Sequence, residues 1–357
     1  MTKANDQKDA RAAFLENAGW GAAAAEALAG DASTRSYQRL RMGGENAVLM
    51  IAPPASEAPS CPPEADEAER RALGYNAMAR LAGPNLNAFV ALSSALRDAG
   101  LSAPTVYAAD QVAGLALLED LGDDLFARII GKVKEETLYC AGVDALVTLH
   151  AGAPFPPASA SYTMLDYDAL AMEAEAQLFM EWYWPLKKGE AASEDLLTEY
   201  SGLWRDTLGG LSAPHTFVLR DFHAENLLWL PDRNGVERVG VIDFQDALFG
   251  HAAYDLVSLL EDARRDVDED TAARMIEYYL SRSGADPDAF LRDYAILAGQ
   301  RNAKILGIFA RLARRDKKPR YLDLLPRVEA HFRRDLQREE LAVFRAFFAK
   351  HLPELVS

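Results

Sequence analysis

The chain has 357 residues, of which 50% are apolar and 26% charged, so it can fill the core of one large domain or two ordinary ones. Its net charge of −16 argues against nucleic acid and anionic membranes as partners, because both favour a basic surface. Residues 1–8 are polar with no apolar run after them, and acidic side chains interrupt the most apolar helical candidate, residues 165–186. We therefore expect a cytoplasmic protein with no membrane segment.

The first third of the chain predicts a small β-rich region. Residues 8–29 are alanine-rich and predict one or two short helices, and further helical patterns cover residues 66–81 and 86–99. The predicted strands are residues 37–42, 47–51, 105–109 and 115–118. Gly43 and Gly44, between the first two strands, are typical of a hairpin turn.

The remainder of the chain is predicted to be helical. The helical patterns cover residues 125–149, 166–184, 193–209, 252–264, 271–282, 289–313 and 327–351. This change of character predicts an α+β chain in two lobes, with residues 1–118 as a nucleotide-binding lobe and residues 119–357 as a catalytic lobe. A cleft between two lobes is the usual place for a small-molecule site.

Three polar residues in the second lobe carry the chemistry. Asp221 precedes Asn226 by five positions, and an apolar run then leads through Asn234-Gly235 to a second apolar run that ends at Asp243. Asn-Gly between two such runs is a strong hairpin signal, and a turn centred on it sets Asn226 opposite Asp243. Two hard oxygen ligands side by side suit Mg²⁺, which keeps waters and takes substrate phosphates. Phosphoryl transfer then needs only a base such as Asp221 near the nucleophile.

Arg220-Asp221, Asn226 and Asp243-Phe244 resemble the catalytic loop and metal-binding motif of protein kinases. With His223 and Tyr254-Asp255, the match is closer to the aminoglycoside phosphotransferase-like superfamily, whose loop has the form His-Gly-Asp-Leu-His-x-x-Asn. Within it the chain is most similar to the anomeric N-acetylmuramate/N-acetylglucosamine 1-kinases. The segments that carry this likeness are residues 30–40, 48–54, 117–122 and 301–312.

The resemblance implies a two-lobed protein-kinase-like fold, ATP and Mg²⁺ as cofactors, and an N-acetylated amino sugar as acceptor in peptidoglycan recycling. It implies that Asp221 is the catalytic base and that Asn226 and Asp243 hold Mg²⁺. The residues implied to bind the nucleotide are Gly30, Asp31, Ser33, Thr34 and Arg35 in a loop over the phosphates, and Glu119 and Leu121 in a hinge against adenine.

Candidate substrate contacts are less sharply marked. They are His223, Gln245, Trp182, Arg301 and Lys304. Trp182 belongs to an aromatic run that could stack on a sugar ring, although such runs more often pack in a core. His223 is expected to orient the loop by a hydrogen bond. Arg301 and Lys304, three positions apart, share one helix face and could meet a sugar or its carboxylate.

One departure from the kinase pattern stands out. Met50 occupies the position of the strand lysine that pairs with phosphate, and Arg35, Arg39 or Arg41 could supply the missing charge.

Three other functions stay open at this point. The same fold could act on an aminoglycoside, choline or another amino alcohol, which as a cation would want an acidic pocket. The departure at Met50 allows a non-catalytic nucleotide-binding module, although such a module would not need a base like Asp221. A metal phosphohydrolase is disfavoured, because His223 beside the carboxylates leaves too few ligands for two metals.

Overall fold

The computed structural model describes residues 2–28, 35–52, 60–152, 162–213 and 216–356. Within those ranges no helix is long and apolar enough to cross a membrane. The chain divides into two compact units. The first comprises Met1–Ile129, Phe155–Met164 and Glu225–Ala247, and the second comprises Ile130–Pro154, Leu165–Ala224 and Leu248–Ser357. The segment that carries Asn226 and Asp243 therefore belongs to the unit with the predicted nucleotide-binding strands.

The secondary structure follows the predicted order, with strands concentrated early and helices late. The strands are β1 (Ala24–Ala27), β2 (Ser36–Met42), β3 (Glu45–Ile51), β4 (Val106–Asp110), β5 (Leu115–Glu119), β6 (Thr216–Val218), β7 (Leu227–Trp229), β8 (Val239–Val241) and β9 (Leu248–Gly250). The helices are α1 (Thr2–Asn17), α2 (Glu67–Leu73), α3 (Tyr75–Met78), α4 (Leu86–Asp98), α5 (Phe126–Ile129), α6 (Glu135–Ala151), α7 (Ala169–Leu178), α8 (Trp184–Lys188), α9 (Glu194–Leu208), α10 (Ala253–Leu260), α11 (Glu269–Ser283), α12 (Pro287–Arg314), α13 (Leu325–Asp335) and α14 (Ala342–His351). The predicted α+β class is confirmed.

The first unit is built on an antiparallel sheet in the order β1-β2-β3-β5-β4. Because side chains alternate along a strand, one face carries Leu40, Leu49 and Leu117, which are buried and pack against Phe14 of α1. Cross-strand pairing places Tyr37 and Met50 together on the other face. The sheet therefore has one face that forms a core with α1 and another that carries Met50, the position of the kinase strand lysine.

The β2–β3 turn agrees with the prediction, whereas the segment that forms β1 is predicted to be helical. Gly43 and Gly44 both have positive φ, 61° and 90°, as a two-residue hairpin turn of the favoured kind requires. The sequence predicts one or two short helices over residues 8–29, but α1 ends at Asn17 and Ala24–Ala27 pairs with β2 as an edge strand. Alanine favours helix, so only pairing with β2 selects the strand here.

The second unit is mostly helical, and α12 is its central element. Asp286 caps α12 by accepting from the amide of Ala289, Pro287 occupies the first turn, and most residues from Asp293 to Leu312 are buried. At Gly307 a Cβ atom would clash with the backbone of Leu178, so α12 meets the end of α7 with no side chain between them.

Two predicted helices are interrupted. The pattern over residues 125–149 divides into α5 and α6, with Gly131 at φ 99° between them. The pattern over residues 166–184 contains a π-helical turn at Phe179–Tyr183, in which the amide of Trp184 donates to the carbonyl of Phe179. Tyr183 and Trp184 are buried, while Trp182 stays partly exposed. Core packing therefore accounts for two of the three aromatic residues.

Candidate active site

The predicted metal ligands lie at one end of the β7–β8 hairpin in the first unit. Leu227 pairs with Val241, and the amide of Ile242 donates to the carbonyl of Asn226 at 3.1 Å. Asn226 therefore lies opposite Ile242, one residue short of the predicted partner Asp243. The prediction of a two-residue Asn-Gly turn is wrong, because a 3₁₀ turn at Gly235–Arg238 lengthens the connection between β7 and β8. Asn226 and Asp243 nevertheless stay neighbours.

Residues 243–246 form a braced turn after β8. Asp243 is exposed with φ 61°, and Phe244 is buried against Phe89 of α4, with ring centroids 4.8 Å apart. Gln245 Nε2 donates to Asp243 Oδ1 at 2.8 Å, and Asp246 Oδ1 accepts from the amide of Ala82 at 2.6 Å. Gln245, predicted as a substrate contact, thus orients the metal-ligand candidate. Its buried Oε1 has no hydrogen-bond partner among the described residues.

The catalytic loop belongs to the second unit. Asp221 is partly exposed, whereas Phe222 and His223 on its C-terminal side are buried. Asp255 of α10 accepts from the amides of Leu219 and Arg220 at 2.7 and 2.8 Å. This is the loop-bracing contact of a buried carboxylate, not a metal ligand. Burial raises the pKa of Asp255 to about 7, although the two backbone bonds lower it.

The charges around Asp221 favour its ionised form. Burial acts to raise the pKa of Asp221, but the positive charge of Lys304, then that of His223 when it is protonated, and then those of Arg301 and Arg220 hold the pKa below its ordinary value. His223 adds no charge near pH 7, because burial and then the Arg264 guanidinium lower its pKa to about 4. Arg264 Nη1 donates to His223 Nε2 at 3.2 Å. Asp221 is thus a carboxylate at neutral pH, as a proton acceptor must be.

Arg301 and Lys304 lie in the second unit with Asp221, but their groups are engaged. Arg301 Nη2 donates to Ser258 Oγ at 2.8 Å, and Lys304 Nζ lies 2.8 Å from Glu175 Oε1. Both side chains are buried, with 3% and 9% of their surface exposed. The structure therefore brings His223, Arg301 and Lys304 together as surroundings of Asp221. Trp182 belongs to the π-helical turn, and its substrate contact stays a prediction.

The predicted nucleotide residues are only partly described. Gly30, Asp31, Ser33 and Thr34 lie outside the described residues. Arg35 Nη2 donates to the carbonyl of Gly83 at 2.8 Å. The backbone amide of Glu119 donates to the carbonyl of Thr105 at 2.8 Å, so this amide already has a hydrogen-bond partner next to the sheet. Leu121 is partly exposed just beyond β5.

Arg39 is engaged with the predicted hinge and the residues just after it. Its Nε lies 2.6 Å from Asp120 Oδ2 and its Nη1 lies 2.7 Å from Asp123 Oδ2, which argues against Arg39 as a replacement for the strand lysine. Met50 is fully buried. Tyr37, which pairs with Met50, has its pKa raised by burial and then by Asp243, so the phenol lies near that carboxylate.

Sequence reasoning missed Glu175. This glutamate is fully buried on α7, where it accepts from Arg220 and pairs with Lys304. Its only signal in the sequence is an acid on the same helix face as Ala171 and Met172, which are buried. Buried carboxylates are rarely left unpaired, so that position could have been marked for a cationic partner.

Comparisons with known proteins add to this geometry. The family model for phosphotransferase enzymes matches residues 24–295. An N-acetylmuramate/N-acetylglucosamine kinase of Caulobacter vibrioides is 44% identical over 99% of both chains. A kinase of the same name from Pseudomonas putida is 31% identical over 92% of this chain and 89% of its own.

Solved structures agree at the level of the fold. An ADP-bound aminoglycoside phosphotransferase has a TM-score of 0.56 at 16% identity, over 91% of this chain and 99% of the other. A choline/ethanolamine kinase family protein from Mesorhizobium loti has a TM-score of 0.54 at 16% identity, over 94% and 96%. The predicted protein-kinase-like fold is confirmed, and the chain belongs to the phosphotransferase enzyme family.

Proposed function

We propose that this kinase transfers the γ-phosphate of ATP to the anomeric hydroxyl of N-acetylmuramate or N-acetylglucosamine, with Mg²⁺. The observation that carries the choice of acceptor is the 44% identity, over essentially the whole of both chains, to a kinase named for those two sugars. The sugar 1-phosphates would then feed peptidoglycan recycling.

Asp221 acts as the base. As the sugar hydroxyl oxygen forms a bond to the γ-phosphorus, the bond from that phosphorus to the bridging oxygen of ADP breaks, and the hydroxyl proton passes to Asp221. ADP leaves with the bond's electron pair. The cations that keep Asp221 ionised support this role, because only the carboxylate form can accept the proton.

Asn226 and Asp243 would hold Mg²⁺. An amide and a carboxylate oxygen on neighbouring residues are the hard donors that this ion takes, and the unmatched Oε1 of Gln245 is an acceptor suited to a metal-bound water. When bound, Mg²⁺ neutralises charge on the transferring phosphate.

The nucleotide would bind along the first unit. The loop with Gly30, Asp31, Ser33 and Thr34 would cover the phosphates through backbone N–H groups, with Arg35 at its end. Glu119 and Leu121 would border the adenine. These assignments come from the family resemblance; of these phosphate-loop residues only Arg35 is described, and its Nη2 donates to the carbonyl of Gly83.

The alternative acceptors, aminoglycosides and amino alcohols, are cations. The surroundings of Asp221, however, include Lys304, Arg301 and Arg220, so they are not the purely acidic pocket that a cationic acceptor would favour, although Glu175 pairs with two of these cations. His223, Gln245, Trp182, Arg301 and Lys304 remain the candidate substrate contacts.

A panel of acceptors tests the proposal. The purified protein is incubated with ATP, Mg²⁺ and one of N-acetylmuramate, N-acetylglucosamine, choline or an aminoglycoside, with Asp221→Asn as the matched inactive control. We expect transfer to the two sugars, with ³¹P and ¹³C NMR placing phosphate on C1. Phosphorylation of choline or the aminoglycoside alone, or at another sugar position, would reject the proposed acceptor.

A further inference from the structure

A cluster of buried charges lies behind the catalytic loop, within the second unit. At its centre the Glu175 carboxylate of α7 accepts a hydrogen bond from Arg220 and lies 2.8 Å from Lys304 Nζ of α12. The Tyr167 hydroxyl also donates to it, and Gln300 Nε2 lies 3.4 Å away. One carboxylate thus gathers two cations and two neutral donors.

The aromatic rings complete this arrangement. The Arg220 guanidinium lies over the Tyr167 ring at 4.8 Å, and Lys304 Nζ lies 5.7 Å from the centre of the Tyr254 ring. The two rings themselves meet edge to face at 5.1 Å. Two buried cations this close would repel each other without an anion between them, so Glu175 is the residue on which the cluster depends.

Arg220 also has an unfavourable backbone. Its φ is 71°, in the left-handed region that a residue with a Cβ atom avoids and that glycine adopts freely. The superfamily pattern described above has glycine at this position. A backbone outlier next to a reacting group is a reason to look for a functional constraint. Here the constraint is the Arg220 side chain, which points inward to Glu175, not to solvent.

We propose that Glu175 is a positioning residue for phosphoryl transfer, because it anchors Arg220, the residue immediately before the catalytic base, together with Lys304 at one buried point. The inference rests on the proposed role of Asp221 as base. Glu175 acts on Asp221 through these partners. Among the described residues, the groups whose charges act on Asp221 or feel its charge include Lys304 and Arg301 of α12, Arg220 and His223 of its own loop, and Asp255 of α10.

A double-mutant cycle separates positioning from simple stability. In the wild-type background, Glu175→Gln is expected to lower kcat by about 10²-fold, as for a small displacement of a catalytic group, with little change in the KM for ATP. In an Asp221→Asn background the same substitution should change the residual kcat by no more than about twofold, because residues that act as one unit are not additive.

The chain offers a matched control in Glu329. This glutamate is also buried, accepts from the Tyr183 hydroxyl at 2.7 Å and lies 2.7 Å from Lys187 Nζ, but it belongs to α13. Glu329→Gln removes a buried tyrosine- and lysine-bonded carboxylate in the same way. We expect its kcat to stay within about twofold of wild type, whatever its effect on the melting temperature.

Two results would overturn the inference: an equal fold-loss from Glu175→Gln in both backgrounds, or a wild-type kcat in the single variant. If Glu175→Gln does not fold, Arg220→Gly replaces it in the cycle, because glycine suits φ 71° and removes the other end of the ion pair. If wild type phosphorylates no sugar, the proposed acceptor fails by itself. The cycle is then measured on phosphoryl transfer from ATP to water, so the two failures are distinguished.

Discussion

Asp243 and Asp221, the two acidic groups assigned to the chemistry, are held in place by different means. Asp243 follows a short strand whose ladder fixes it beside Asn226, and the contact that orients it comes from Gln245, two residues away. Asp221 follows a residue held by Asp255 of α10 and Glu175 of α7, which are 35 and 45 positions distant in sequence from Arg220. The contacts that hold Asp243, the proposed metal ligand, are local, whereas those behind Asp221, the proposed base, come from remote buried side chains.

The largest effect on turnover should come from Asp243, the proposed metal ligand that local contacts hold in place. Asp243→Ala removes the carboxylate expected to hold Mg²⁺ and should lower kcat by at least about 10³-fold, since metal stabilisation of the transition state amounts to several kcal/mol. Asp232→Ala, in the exposed connection of the same hairpin, is the matched control and should be near wild type. Added Mg²⁺ should rescue Asn226→Ala better than Asp243→Ala. Turnover that EDTA leaves unchanged would contradict the metal assignment.

Loss of the base itself should come next. Asp221→Asn is expected to lower kcat by roughly 10²–10⁴-fold, about 3–5 kcal/mol of barrier, because the hydroxyl proton loses its acceptor. Nucleotide affinity and the melting temperature should stay close to wild type, as isothermal titration and calorimetry would show. Near-normal turnover of this variant would remove Asp221 from the role.

The contribution of Asp255, one of the remote residues that hold the catalytic loop, can be measured as a change in the free energy of unfolding. Asp255→Ala leaves the amides of Leu219 and Arg220 without their acceptor, which costs about 1–3 kcal/mol for each unsatisfied group. Urea unfolding should therefore show a loss of about 2–6 kcal/mol. Asp286→Ala, which removes only the cap of α12, should cost about 1 kcal/mol. Equal losses from the two variants would mean that the buried carboxylate is no more important than a surface cap.

The field around the base predicts a pH effect. Lys304 is the cation that lowers the pKa of Asp221 most, so Lys304→Met should raise that pKa. Because the base works only when deprotonated, the acidic limb of the kcat profile should move to higher pH. Lys187→Met, which removes a lysine bonded to Glu329, should leave the limb unchanged. An acidic limb that stays in place in Lys304→Met would show that this charge does not reach Asp221.

The smallest effect concerns the hairpin connection. Since the β7–β8 turn is not the two-residue kind, Asn234→Ala should change the free energy of unfolding by less than about 0.5 kcal/mol. Gly44→Ala, in the β2–β3 turn that does need positive φ, should cost about 1–2 kcal/mol. The two variants can be compared by thermal unfolding. A larger loss of unfolding free energy for Asn234→Ala than for Gly44→Ala would show that the Asn234 side chain has a specific role in the turn.

The sequence predicts the parts of this molecule that depend on short spacings. The Gly43-Gly44 hairpin, the neighbourhood of Asn226 and Asp243 and the central helix α12 can all be derived from local patterns. The register of the β7–β8 hairpin cannot be derived in this way, because the 3₁₀ turn at Gly235–Arg238 changes the number of residues that connect the two strands.

The parts that tertiary contacts decide could not be predicted in the same way. Ala24–Ala27 has helical composition and becomes a strand only by pairing with β2. The buried charge cluster forms where α7, the catalytic loop and α12 come together and bring Glu175, Arg220 and Lys304 into contact. No spacing in the sequence predicts this contact. Arg39 is a reasonable candidate for phosphate by residue type alone, but its contacts with Asp120 and Asp123 engage it elsewhere.

The π-helical turn at Phe179–Tyr183 has a consequence for aligning this chain with others. A bond from the amide of Trp184 to Phe179 spans five residues, so this turn holds one residue more than an α-helical turn. Each added residue rotates the rest of the helix by about 100° around its axis. An alignment that treats residues 166–188 as one unbroken helix would therefore match Tyr183 and Trp184 to the wrong face of any relative without the turn. A single gap between Leu178 and Trp184 restores the equivalence of the faces.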